Sequence, residues 1–218
     1  MSQVQKKVAY QGVPGAFSNM ASLAALPDHA PTPCATFEDM LAAVRDGDAD
    51  LAMVPVENSV AGRVADIHHL LPSSGLHIVG EHFHRVEMCL LALPGTKIED
   101  IKTVRSYSIA LAQCRSFIAE HGFTRESVTD TAGAAKDVAE EGNREVAAIA
   151  SKLSAEIYGL EVLAENIEDA EHNTTRFLIM AREPHRPVYD PDQTYLTTVV
   201  FEVRSVPAAL YKAMGGFA

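Results

Sequence analysis

The most chemically loaded stretch of this 218-residue sequence is Asn173-Thr174-Thr175-Arg176-Phe177, which sets a hydroxyl, a guanidinium and an aromatic ring side by side after the acidic run 165–171. An arginine at the entrance to a strand can grip a carboxylate through two parallel hydrogen bonds, and an adjacent hydroxyl can donate a hydrogen bond or a proton. The competing reading is structural: the arginine pairs with Glu168, Asp169 or Glu171, and the threonine is there for its β-propensity. A second segment, Pro55-Val56-Glu57-Asn58-Ser59-Val60-Ala61-Gly62, follows an apolar strand. It should put Glu57, Asn58 and Ser59 where open α/β sheets bind ligands; the competing role, capping of the helix that follows by Asn58 or Ser59, is compatible with it. A third, Gln11-Gly12-Val13-Pro14-Gly15-Ala16-Phe17-Ser18, has two glycines between a strand and a helix, where backbone N–H groups can receive an anion. It lacks the third glycine of a dinucleotide loop and the Gly-Lys-Ser/Thr ending of a phosphate loop, and it also reads as a plain tight turn. His82 and His84 alternate on one strand and could share a face as metal ligands, but no third ligand stands at a telling spacing. His68-His69 reads as a solvated pair on a helix.

These residues need elements to hold them. Apolar β-formers alternate with helical patterns, which predicts an α/β fold with largely parallel strands. The pattern predicts strands at 7–10, 50–55, near 103–104, at 146–150 and at 177–180, with a strand-rich stretch over 76–93. Helices are predicted at 18–26, 37–45, 66–71, 108–120 and 132–140. Pro184, Pro187 and Pro191 crowd a polar stretch that behaves as a linker, beyond which 196–203 reads as a strand and 207–217 as a helix.

Composition narrows the function classes. Asp+Glu 29 against Lys+Arg 18 gives a net charge of -11, which opposes broad attraction to nucleic acid or anionic lipid, so an anionic ligand must be held by local donors. Cys34, Cys89 and Cys114 match neither a disulfide framework nor a zinc motif, and reduced thiols in the cytoplasm fit best. No stretch reads as a signal peptide or a membrane span, so neither membrane nor nucleic acid is expected as a partner.

Taken together and in this order, the three segments resemble the prephenate dehydratase family. So do the strand end Leu90-Leu91-Ala92-Leu93-Pro94-Gly95, and Ser106 with Ala110-Leu111-Ala112-Gln113-Cys114; the likeness runs from about Val8 to Ile179. It implies two α/β lobes with the active site in the cleft, similar to type II periplasmic binding proteins. Lobe one would be about 1–78 plus 166–182, and lobe two about 79–165, within a catalytic domain of 1–182. A linker at 183–195 would lead to 196–218, which resembles the first strand and helix of an ACT domain, an α+β module, here incomplete.

The implied activity is conversion of prephenate to phenylpyruvate, without metal or organic cofactor, in a cytoplasmic homo-oligomer (dimer or tetramer) whose full-length form takes phenylalanine as feedback effector. On this resemblance Thr175 is the proton donor or relay, with Glu57 and Asn58 as catalytic partners that could polarise it. Arg176 anchors a carboxylate and Phe177 packs near the ring. Ser59, Ser106, Gln113, Gly15, Ala16 and Phe17 complete the substrate contacts. Two departures are visible: Ser106-Tyr107-Ser108-Ile109 where the family commonly has Ser-His-Pro-Gln, and Glu87-Met88 where a histidine usually precedes the Cys-Leu-Leu step. The alternatives are an arogenate dehydratase and a non-catalytic amino-acid-sensing or solute-binding protein.

Overall fold

The computed structural model describes residues 5–185, 188–195, 197, 199 and 201–217. The chain begins with β1 (Lys7–Gln11), α1 (Phe17–Ala25), β2 (Ala30–Cys34), α2 (Phe37–Asp46) and β3 (Leu51–Asn58). A two-residue strand β4 (Gly62–Arg63), the short helix α3 (Ala65–Leu70) and the long strand β5 (His77–Arg85) follow. A second unit holds β6 (Cys89–Ala92), β7 (Thr103–Tyr107), α4 (Ser108–Gln113), α5 (Arg115–Glu120) and β8 (Thr124–Val128). It continues through α6 (Thr131–Glu141), β9 (Val146–Ala150), α7 (Lys152–Tyr158) and β10 (Glu161–Ala164). The chain returns to the first unit in β11 (Thr174–Ala181), and α8 (Ala209–Met214) lies beyond.

Two sheets result, ordered β2-β1-β3-β11-β5 with β4 on β3, and β10-β6-β9-β7-β8. The α/β, two-lobed expectation stands, but both sheets are mixed rather than largely parallel. β11 returns from the other lobe and inserts antiparallel between β3 and β5, and β6 runs antiparallel to both β9 and β10. The lobe boundary also moves. All of β5 pairs with β11, so the crossover falls at 86–88 and not after residue 78.

The two links between lobes, 86–88 and 165–173, are tied to each other. Val86 N–H donates to Asn173 O (2.8 Å) and Ile167 N–H to Met88 O (3.0 Å). Glu168 serves the same junction: its nearly buried carboxylate accepts from Met88 N–H (2.9 Å) and from Arg85 (3.2 Å). A buried carboxylate needs such partners.

Amphipathic helices cover the sheets. In α2, Thr36 caps the first turn by accepting from Asp39 N–H (3.0 Å), Gly47 ends the helix with φ 96, and Met40, Leu41 and Val44 are buried against Val54, Leu178 and Met180. Each such side chain contributes roughly 1.5–3 kcal/mol by leaving water. The other face of the same sheet buries Tyr10, Met53 and Phe177 beneath α1.

Several elements departed from their sequence patterns. β2 contains two prolines and survives because it is an edge strand pairing only with β1. The helix expected at 108–120 breaks at Cys114, a fully buried residue. The Asp169 carboxylate caps the restart by accepting from Arg115 N–H (3.2 Å) and Ser116 N–H (3.0 Å). β8, α7 and β10 were not anticipated; β8 is almost wholly exposed and shows no apolar alternation. Of the strand expected at 196–203, Leu196, Thr198 and Val200 lie outside the described residues, and the described ones are in no strand. A strand needs a neighbour to pair with, and the described residues of this segment are in neither sheet. The helix expected at 207–217 is the shorter α8, with a 3-10 turn at Gly215–Phe217 and no buried residue.

Candidate active site

The lobes enclose a cleft of about 570 Å³. Ala16, Phe17 and Ser18 from the start of α1, the β3–β4 hairpin, Met88, α4, the start of α6, and Thr175 with Phe177 from β11 all line it.

β11 and β3 pair with Thr175 opposite Asn58 and Arg176 opposite Glu57. Successive side chains on a strand point to opposite faces, so the pairs separate. Thr175 and Asn58 face the cleft. Asn58 Oδ1 accepts from the backbone N–H of Val60 (3.0 Å) and of Ala61 (2.8 Å). Those two donors determine which end of the amide is oxygen, leaving Nδ2 to donate to Thr175 Oγ1 (3.0 Å) and Asn173 Oδ1 (2.7 Å). Gln113, carried by α4 of the second lobe, closes a ring of three amides. Its Nε2 donates to Asn58 Oδ1 (3.3 Å), and its Oε1 accepts from Asn173 Nδ2 (3.2 Å). Thr175 Oγ1 therefore accepts an N–H bond while its own O–H stays available to a molecule in the cleft. A donor onto the oxygen also favours the form left after the proton departs.

Arg176 and Glu57 do something else. Arg176 donates to Glu81 (2.9 Å) and Glu57 (3.3 Å) and lies 5.9 Å over the Phe83 ring, outside the cleft lining. Burial works against its charge, but hydrogen bonds and the charges of Glu81 and Glu57 outweigh that and hold its pKa above the ordinary guanidinium value. The structural reading of this arginine holds, with different acids. The expected carboxylate anchor is thus engaged elsewhere, and Glu57 cannot polarise Thr175.

Three further expectations are corrected. Ser59 is a clip between strands, donating to His172 O (2.8 Å) and accepting from Thr174 N–H (3.0 Å). Ser106 is fully buried and donates to Ile149 O (2.5 Å), tying β7 to β9. Gly15 O accepts from Ser151 (2.5 Å) and Ser154 (3.1 Å) of the opposite lobe. With φ +92, and with a Cβ that would sit 2.5 Å from Ser154 Oγ, only glycine allows this approach. Neither Asn58 nor Ser59 caps α3, whose N-cap Val64 makes no side-chain bond.

Ala16 and Phe17 remain at the site. Ala16 is the N-cap of α1 without a side-chain bond, its own N–H donates to Val13 O (3.1 Å), and the first turn has no acid, so the N–H groups of Phe17 and Ser18, two residues that line the cleft, are left without intrahelical partners. Tyr107, standing where histidine is common, and Met88 both line the cleft. Asn173, fully buried, is the residue that sequence reasoning missed. Its signal was present in the Asn-Thr-Thr-Arg-Phe run, but an asparagine two residues before a strand threonine reads as a turn former. His82 and His84 do share a face, ring centroids 5.8 Å apart, yet no group of three metal-ligating side chains stands among the described residues. His68 is within 3.1 Å of Val56 O.

These features define a class: a two-lobed α/β cleft protein whose hydroxyl is set by amides from both lobes. The family model described as prephenate dehydratase matches residues 8–185, and the chain belongs to that family. It is 50% identical over 98% of its length to a bifunctional N-acyl-homoserine lactone acylase/prephenate dehydratase of Komagataeibacter europaeus, of which it covers 76%. It is 45% identical to arogenate dehydratase/prephenate dehydratase 1, chloroplastic, of Arabidopsis thaliana, covering 97% of this chain and 54% of that protein. The chain thus spans about half the length of that plant relative. A prephenate dehydratase from Arthrobacter aurescens, solved in complex with L-Phe, superposes with TM-score 0.81 at 30% identity over 97% of this chain and 71% of that one. The family is one of dehydratases, lyases of phenylalanine biosynthesis. Among the described residues no helix is long and apolar enough to cross a membrane.

Proposed function

We propose that this chain converts prephenate to phenylpyruvate, with Thr175 as the proton donor. The observation that carries the reading is the Asn58–Thr175 bond at 3.0 Å, which leaves the threonine proton facing the cleft. In prephenate the ring carboxylate and the departing hydroxyl lie on opposite ring carbons. The bond to the carboxylate breaks, CO2 leaves, and its electron pair enters the ring. The hydroxyl departs with the Thr175 proton as water, and solvent returns a proton to the threonine. Aromatisation drives the reaction, so the protein supplies orientation and one proton, the latter worth about 10²- to 10⁴-fold. Phe177, the one strand neighbour of Thr175's own face that also lines the cleft, packs against the ring. The N–H groups of Phe17 and Ser18, the first two of α1, receive a carboxylate.

On this reading 1–182 is the catalytic domain, 183–195 the linker, and 196–218 the opening of a regulatory module for phenylalanine, in a cytoplasmic homo-oligomer. The test offers prephenate and arogenate separately to the purified chain and follows phenylpyruvate, as its enolate in alkali, and phenylalanine. Phenylpyruvate from prephenate supports the reading. Turnover of arogenate alone would reassign the substrate, and turnover of neither would leave the solute-binding alternative. The 50% identity to the Komagataeibacter protein motivates a second reading, amide hydrolysis of an acyl-homoserine lactone. Release of the free fatty acid from such a lactone by the same preparation would establish it.

A further inference from the structure

With Arg176 held by two glutamates outside the cleft, a substrate bearing two carboxylates needs another cation. Three charged residues are among those that line the cleft: Arg63, Asp66 and Asp130. Asp130 is already committed, since its Oδ1 accepts from Gly133 N–H (2.6 Å) at the start of α6. Arg63 pairs with Glu57 in the ladder, so its side chain leaves β4 on the face away from Asn58 and Thr175, yet the residue is among those lining the cleft at the end of the hairpin, and the Glu57 carboxylate is turned to Arg176. Arg63 therefore enters no ion pair among the described residues. In a chain of net charge -11, the general field repels a dianion and capture falls to a local donor.

We propose that Arg63 receives a carboxylate of the bound substrate, the role that sequence reasoning had given to Arg176. The inference rests on the dehydratase reading for the identity of the substrate. The geometry itself requires only an organic carboxylate in the cleft. Arg63 lies on the same hairpin as Asn58, separated from it by the turn that Asn58 Oδ1 braces at Val60 and Ala61. The arm that holds the threonine thus also carries the charge, and a guanidinium can meet a carboxylate with two parallel bonds. A solvated hairpin arginine with no role in binding is the competing account.

The test compares wild type, Arg63→Ala and Arg63→Lys in steady state and by calorimetric titration with phenylpyruvate. Arg63→Ala should raise KM by about 10- to 100-fold, the discrimination of one charge-assisted pair, with kcat little changed. Arg63→Lys should fall between, and added guanidinium chloride should restore part of the loss in Arg63→Ala. The melting temperature of the alanine variant should match wild type, because the side chain is exposed and unpaired. A wild-type KM and wild-type phenylpyruvate affinity in Arg63→Ala would overturn the proposal while leaving the dehydratase reading intact. If wild type binds phenylpyruvate without turning over prephenate or arogenate, the dehydratase reading falls, and the titration of Arg63→Ala still decides the arginine. A wild type that does neither overturns both.

Discussion

Thr175 and Arg176 are consecutive residues on opposite faces of one sheet, and the two faces handle charge differently. On the far face a guanidinium sits between Glu57 and Glu81 and above Phe83, and its neighbours stabilise the charge it carries. On the cleft face the neighbours are neutral: the amides of Asn58, Asn173 and Gln113 next to a hydroxyl. His84 and His82, the ladder partners of Thr175 and Phe177, also lie on this face. Burial lowers the pKa of both from 6.5, and for His84 the neighbouring His82 adds to it. One face pairs a charged side chain with counter-charges, and the other surrounds the hydroxyl with neutral hydrogen-bonding groups. A contiguous motif on a strand cannot place all its members in one site, because the side-chain period is two.

The sharpest way to break this contrast is Thr175→Ala. It should lower kcat by roughly 10²- to 10⁴-fold while thermal melting shows an intact fold. A variant that turns over near the wild-type rate removes Thr175 from the chemistry. Next in size is Asn173→Ala, which opens the amide ring and strands a donor of Asn58 and an acceptor of Gln113. We expect a loss of about 1–3 kcal/mol in urea unfolding, and kcat lower by roughly 10-fold as Asn58 loses its brace. Unchanged kinetics at reduced stability would make the ring architectural only.

Arg176→Lys tests the other face. It keeps the charge but loses the planar fork, so we expect about 1 kcal/mol of destabilisation with kcat/KM within roughly threefold of wild type. A large loss of kcat/KM in a well-folded Arg176→Lys would return the arginine to substrate binding. The smallest effect concerns the histidines. Their folded pKa values lie below the unfolded value near 6.5, so the unfolded chain takes up protons that the folded chain refuses. Their contribution is complete above about 6.5 and is lost as pH falls through the lower folded values. The melting temperature should drop between about pH 7 and 5, and the drop should shrink in a His82→Gln/His84→Gln double variant. Parallel profiles for the two proteins would locate the acid sensitivity elsewhere.

Local pattern was enough for much of the scaffold. The apolar run of β9, the Thr36 cap and Gly47 stop around α2, and the Pro27 that follows α1 each carry their signal within a few residues. The family and the two-lobed α/β class followed from segments whose order and spacing survive in one dimension, and Thr175, Asn58, Gln113, Ala16, Phe17 and Phe177, named from those segments, line the cleft. Other assignments needed the third dimension. Whether Glu57 meets Thr175 or Arg176 depends on the pairing of β11 with β3, a contact across 119 residues. Ser106, Ser59 and Gly15 look like ligand groups in sequence, yet each is consumed by a distant backbone or hydroxyl partner. The strand expected at 196–203 shows the same limit, since its residue types favour extended chain but its described residues join neither sheet. Sequence determined which residues could do chemistry, because bond type and spacing are local. Only the tertiary structure decided which donors remained free to do it, because a polar group that folding has already satisfied has no hydrogen bond left to give.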